Sequence, residues 1–211
     1  MKNKLFRIYT KLYEHFGAQY WWPGETSFEM AVGAILTQNT NWGNVEKAVQ
    51  NLKKEAVLDA YKLHDMPVTR LALLIRPAGY YNIKAKRLRN FIDFLIEEYD
   101  GSMKSMKDVD WTIIREKLLS VNGIGPETAD SILLYGLKKP VFVIDAYTKR
   151  FLSRHNIMDH GSSYDAFQNF FHMQLKKDVP LFNEYHALIV KLAKEHCRTK
   201  PLCRGCPIEG M

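Results

Sequence analysis

Cysteine is scarce in this 211-residue chain: there are three, Cys197, Cys203 and Cys206, all within about fifteen residues of Met211. An odd number crowded into one short tail does not make a disulfide framework and reads instead as metal or cluster ligation. Long apolar runs are missing too. No uninterrupted apolar stretch is long enough to span a bilayer, and Met1-Lys2-Asn3-Lys4-Leu5 has neither the apolar core nor the small-residue cleavage site of a signal peptide. The expectation is a cytoplasmic protein with no membrane partner. Acidic charge is in deficit, with 23 Asp and Glu against 30 Lys and Arg, a net charge of +7. Such a balance favours an anionic partner through long-range steering, and it fits a merely solvated basic surface equally well. Internal repeats and low-complexity segments are also absent.

Strict period-two alternation is missing beyond the short Val141-Phe142-Val143-Ile144, whereas apolar residues recur at helical spacing nearly throughout, so the fold class is all-α. Hydrophobic residues at 46% and charged residues at 25% are those of a globular protein, and the length suits one sizeable core or two small lobes. Leu5, Ile8, Leu12 and Phe16 mark a first helix that Gly17 can close in the left-handed conformation. Thr26 and Glu29 have the spacing of a capping box, opening a buried helix through Met30, Val32, Ile35 and Leu36. Another helix runs from Val45 to Leu52. Asp65 and Pro67 signal a start, with Leu71, Leu74 and Ile75 as the apolar face up to Pro77. Ile83, Leu88, Phe91, Ile92, Leu95, Ile96 and Tyr99 make the clearest helix, with Gly101 past its end. Asp110 can cap a helix to Leu119. Later helices are predicted from Asp145 to about Arg154, Tyr164 to Leu175, and Pro180 to about His196.

Between two of these helices lies Asn122-Gly123-Ile124-Gly125-Pro126, with Pro126 suited to a first helical position. Two glycines permit positive φ and close backbone approach, and amides after the turn point outward at a helix N-terminus, a geometry that holds a phosphate oxygen without reading sequence. By itself the pattern also fits a plain αα-hairpin turn. The segment continues Glu127-Thr128-Ala129-Asp130, through Gly136, to Val141-Phe142-Val143-Ile144-Asp145-Ala146-Tyr147-Thr148-Lys149-Arg150. Here the sequence resembles the endonuclease III superfamily of helix-hairpin-helix DNA glycosylases, over essentially the whole chain. In that family a short hydrophobic segment after the hairpin ends in the catalytic aspartate, which Asp145 matches; Asp145 is also suited to cap its helix.

The resemblance implies two helical lobes, a barrel over 27–139 carrying the hairpin and a second lobe of 1–26 with 140–211, and an active-site cleft between them. Ala34-Ile35-Leu36-Thr37-Gln38-Asn39-Thr40 resembles the segment whose glutamine fills the hole left by a flipped nucleotide, and Gly79-Tyr80-Tyr81-Asn82-Ile83-Lys84-Ala85-Lys86 resembles the second wedge loop. Gln38 and Tyr80 would then enter the duplex. Lys84, Lys86, Arg87 and Arg89 would supply positive charge nearby, or form a solvated helix face. The hairpin residues Gly123, Ile124 and Gly125 would hold the DNA backbone. The implied partner is double-stranded DNA with a damaged base, met by a monomeric, nucleoid-associated enzyme.

Bifunctional members of the family attack the sugar with a lysine just inside the hairpin's second helix, and an imine requires an amine. That position here is Glu127, which implies a monofunctional glycosylase in which Asp145 works with water. Trp21-Trp22-Pro23 and Trp42 resemble the aromatic positions of the 3-methyladenine glycosylase branch, where a glutamate at the position of Glu127 also occurs. They imply a base pocket that stacks on an alkylated, cationic purine, unless these tryptophans serve the core. The alternatives are a bifunctional pyrimidine-lesion glycosylase with lyase activity and a non-catalytic DNA-binding module.

Cys197-x5-Cys203-x2-Cys206 resembles the four-cysteine iron–sulfur loop of endonuclease III with one residue fewer in the first spacing and no fourth cysteine. Cluster sites take four ligands. The tail is read as a degenerate loop in preference to a truncated 4Fe-4S site helped by His196, and catalysis is expected to need no cofactor.

Overall fold

The computed structural model describes residues 4–21 and 24–211. Among them the regular structure is helical, with twelve α-helices and no strand. The chain divides into two compact units, one of residues 24–139 and one joining 1–23 to 140–211.

The 24–139 unit is built around α2 (Ser27–Leu36), whose residues from Glu29 to Leu36 are all buried. Thr26 opens it by accepting a hydrogen bond from the Glu29 amide at 3.1 Å, but the reciprocal half of the capping box is shifted by one residue. The Glu29 carboxylate takes the Glu25 amide at 3.2 Å and pairs with Lys53 at 2.9 Å, so its charge stays compensated under cover. Around it pack α3 (Trp42–Lys54), α6 (Tyr81–Tyr99) and α9 (Pro126–Ser131). Three further helices, α4 (Ala60–Asp65), α5 (Val68–Leu74) and α7 (Met103–Lys107), are single-turn or two-turn pieces. The sequence pattern missed α4 and α7, since a helix that short shows no periodicity. Asp59 and Ser102 nevertheless cap them through the amides of Lys62 and Ser105.

Helix α8 (Trp111–Ser120) leads through the glycine turn into α9, which widens at Ile132–Gly136 into a π-helical stretch. Such stretches are rare and frequent at functional sites. The hairpin is clamped from inside: Arg115 on α8 meets the fully buried Asp130 on α9 with Nε–Oδ1 at 2.8 Å and Nη2–Oδ2 at 3.3 Å. A forked guanidinium–carboxylate contact fixes two helices in angle as well as distance.

In the other unit, α1 (Lys4–Phe16) ends where Gly17 takes φ +68° and its N–H returns to Tyr13 O at 2.9 Å. Helix α1 lies on α12 (Val179–Glu195), joined by Tyr185 Oη donating to Leu5 O at 2.9 Å. The apolar segment Val141–Ile144 is neither helix nor strand, and all four of its side chains are buried. Side chains satisfy its backbone instead. Phe142 N–H donates to His172 Nε2 at 3.0 Å, Gln168 Nε2 donates to Phe142 O at 2.8 Å, and Ile144 N–H donates to Tyr164 Oη at 3.2 Å. The Phe142 ring stacks on Phe171 of α11 (Tyr164–Gln174) at 3.7 Å. This buried segment, held by those three bonds, delivers the chain to Asp145 and α10 (Ala146–Arg154).

Removing one member of a buried ion pair strands the other, so Asp130→Ala should destabilise the protein by ~3–5 kcal/mol in urea unfolding, and Arg115→Met with Asp130→Leu together by clearly less. Equal losses would mean that the pair itself, rather than the stranded charge, carries the stability.

Candidate functional site

Asp145 caps α10, its Oδ1 accepting from the Thr148 amide at 2.7 Å while the backbone turns from extended to helical. An aspartate here serves the helix through its charge near the positive end of the dipole. Its second oxygen faces His186 of α12, with Nε2–Oδ2 at 3.4 Å. Both residues are buried. Burial alone would push the Asp145 carboxyl up, but the His186 ring and the Thr148 hydrogen bonds outweigh it and leave the group below the usual carboxylate value. Asp145 is thus an ionised carboxylate kept out of bulk water.

The Trp21 ring stacks on His186 with centroids 5.2 Å apart and planes at 23°. One imidazole therefore touches both the carboxylate and a half-buried indole. Trp22 and Pro23 lie outside the described residues. The sequence reading missed His186; its only signal was a polar residue on the buried face of α12, between Tyr185 and Ala187.

In the 24–139 unit, the turn after α2 meets the hairpin. Gln38 is held on every side: its amide nitrogen donates to Gly123 O and to Thr128 Oγ1, each at 3.0 Å, and its oxygen accepts from Arg87 Nη1 at 2.5 Å. The exposed tip of that turn is the next residue, Asn39, in the left-handed region at φ +53°. Tyr80 is 69% exposed and also left-handed, at φ +45°. Non-glycine residues so placed cost about 1–3 kcal/mol each, a strain that clusters at binding sites.

Gly123 takes φ +98°, and a Cβ there would lie 2.2 Å from Arg87 Cγ, so glycine is required twice over. Gly125 differs from expectation, because its φ of −93° is open to any residue and a Cβ would meet nothing within 4 Å. Ile124 is buried and its N–H returns to Val121 O at 3.0 Å, making it the turn's apolar anchor. Glu127 is exposed on the first turn of α9, and Trp42 is half-buried at the first position of α3.

Lys84 corrects the expectation of an exposed cation: it is 1% exposed and its ammonium donates to Leu36 O at 2.8 Å and Ala78 O at 2.7 Å. Burial and the neighbouring Arg87 charge push it down to about 8. Arg87 and Arg89 also turn inward, Arg89 donating to Leu63 O at 2.8 Å and to Met66 O, which leaves Lys86 as the exposed cation of the four. Helix α6 is enclosed by loops whose carbonyls need donors, and long basic side chains reach them.

Cys197 is buried beside Arg154, whose Nη1 lies 3.5 Å from its sulfur, while Cys203 is exposed. Burial raises the Cys206 thiol. Among the described residues no group of three His, Cys, Asp or Glu side chains is arranged to hold a metal ion. Three thiols are one fewer than the four ligands a cluster site takes.

Residues 32–176 match the HhH-GPD superfamily of base excision DNA repair proteins. The chain belongs to that superfamily. A relative from Methanocaldococcus jannaschii, carrying the provisional name DNA repair glycosylase, is 50% identical over 206 residues, covering 97% of this chain and 94% of its own. Among solved structures, the 3-methyladenine DNA glycosylase of H. pylori bound to 1,N6-ethenoadenine is 31% identical with a TM-score of 0.81, covering 92% of this chain and 98% of that one. A non-covalent endonuclease III–DNA complex superposes at TM-score 0.83 with 20% identity, over 98% and 92% of the two chains, a likeness of fold. The enzyme class of this HhH-GPD protein is accordingly that of a DNA glycosylase.

The lowered Asp145 carboxyl sets the sign of its pH dependence. Its ionised form persists as pH falls until the lowered value is passed, so the acid limb of base release should lie below the ordinary carboxylate range. His186→Asn removes the largest opposing influence and should move that limb to higher pH; an unmoved limb in kcat/KM profiles would separate Asp145 from the acid titration.

Proposed function

We propose that this glycosylase removes an alkylated, cationic purine of the 3-methyladenine kind by hydrolysis, without cutting the DNA strand. The observation that carries the proposal is the buried Asp145 3.4 Å from His186, whose ring also stacks on Trp21. A fixed negative charge in a water-poor site stabilises the positive sugar of an oxocarbenium-like transition state.

In the proposed reaction the bond from C1′ to the base nitrogen breaks and its electron pair leaves with the base. A water oxygen then bonds C1′ and gives its proton to Asp145, which passes it to solvent. An alkylated purine already carries positive charge, so its departure as a neutral base needs no general acid. Glu127 supports the hydrolytic reading because a carboxylate cannot form the imine that strand cutting requires. The 31% identity to a 3-methyladenine glycosylase supports the lesion class. Trp21 and Trp42 are proposed as aromatic contacts for the base, with the cation–π part worth about 0.5–2 kcal/mol. The hairpin around Gly123 and Gly125 is proposed to hold a phosphate, and the exposed turns at Gln38–Asn39 and Tyr80 to fill the space left by the flipped nucleotide.

The test is to incubate the protein separately with methylated, deaminated and oxidised duplexes and identify the released bases. Methylated purines should dominate, and release of oxidised or deaminated bases alone would refute the lesion class. Asp145→Asn should slow release by at least a hundredfold with little change in duplex affinity, because the amide keeps the size and loses the charge. Trp42→Leu should lower excision of 3-methyladenine more than that of any neutral base accepted, and an equal loss for both would remove the charge-recognition part.

A further inference from the structure

Lys84 lies on the first turn of α6 with its ammonium sealed from solvent. A lysine charge is tolerated there only because oxygen atoms replace its water. Both oxygens come from backbone at the roots of loops. Leu36 is the last residue of α2, three positions before Asn39, and Ala78 ends the 3-10 turn Arg76–Ala78, two positions before Tyr80. At 2.8 and 2.7 Å, one ammonium holds both carbonyls at once.

The two loops so joined share one feature. Each runs straight from its held carbonyl to an exposed, left-handed, non-glycine tip, Asn39 and Tyr80. Strained tips keep their conformation only when the surrounding structure over-determines it. For the first loop, Arg87 adds a second hold through Gln38 one helical turn further along α6. For the second, Tyr80 O accepts from the amides of Ile83 and Lys84 at 3.1 and 3.0 Å, so the tip is continuous with the helix that carries the ammonium.

We propose that Lys84 is a positioning residue whose ammonium sets the spacing of the Asn39 and Tyr80 loops, so that the two enter a duplex as one rigid pair. The inference rests on the reading of these loops as the parts that fill the space left by a flipped base. Lys84 itself touches no DNA. It acts by sparing the loops the ordering that insertion would otherwise demand, and preorganisation of this kind appears in the flipping step more than in general affinity.

Lys84→Met keeps the length of the stem and removes the donors. In the DNA-free variant, amide hydrogen exchange should quicken at residues 37–41 and at 79–81 together, with α12 unchanged. Single-turnover excision from a fully paired duplex should fall about tenfold or more, and the loss should shrink where the damaged base sits in a mismatch that is already unstacked. Binding to undamaged duplex should stay within about twofold, since the exposed phosphate contacts remain. Unchanged exchange in either loop would overturn the tie; loosened loops with undiminished excision from paired duplex would overturn its purpose. If Lys84→Met does not fold, the wild type still decides: where exchange is limited by opening, the two loops should show a common opening rate, and separate rates overturn the proposal. A wild type that releases no damaged base from any lesion would sink the functional reading and leave the exchange results to judge the tie alone.

Discussion

A carboxylate stays charged away from water only when other groups replace the hydration it has lost, and for Asp145 those groups are few and specific. The Thr148 amide at 2.7 Å exists because α10 begins there, and α10 begins there because Asp145 caps it. His186 reaches the second oxygen from α12. The buried run before Asp145 has three backbone groups held by Gln168, His172 and Tyr164, which restrain the segment that delivers the carboxylate. The helix cap, the buried segment and the stacking of Trp21 on His186 are thus parts of one arrangement around a single negative charge.

The 24–139 unit obeys a related constraint with the opposite sign. Its longest helix, α6, sends Lys84, Arg87 and Arg89 to backbone and amide oxygens of the surrounding turns, and Asn90 adds a bond to Asn122 O at 2.9 Å. These side chains join the turn after α2, the turn before α6 and the hairpin loop to one scaffold. Positive charge on this helix therefore orders loops, and the net +7 of the chain is not a direct map of where an anionic partner would touch it.

What the sequence disclosed is what local chemistry decides. Gly17, Asp110, Pro126 and Asp145 each end or begin a helix as read, since a cap acts within a turn of itself and needs no knowledge of the rest of the chain. The all-helical class followed from periodicity for the same reason. The family was legible because the hairpin and the segment ending at Asp145 keep their spacing. The remaining features join residues far apart in sequence: Lys84 with Leu36, Gln38 with Gly123, His186 with Asp145. A lysine on an amphipathic helix is ordinarily solvated, and only the packed fold reveals that its face is enclosed. Val141–Ile144 is a short apolar run of the kind a buried strand shows, yet it finds no partner strand, because such a run reports burial and not pairing. The π-helical stretch after α9 left no mark that pattern reading could use.

The central claim is that water, activated by a buried carboxylate that starts the reaction ionised, completes it. Borohydride trapping during turnover of a methylated duplex, with strand integrity followed on the same samples, tests it most directly. A hydrolytic enzyme should release free base in amounts equal to unbroken abasic strands and form no covalent adduct. Adduct formation at the rate of base release, with strands cut in step, would show that an amine attacks the sugar and would contradict the account.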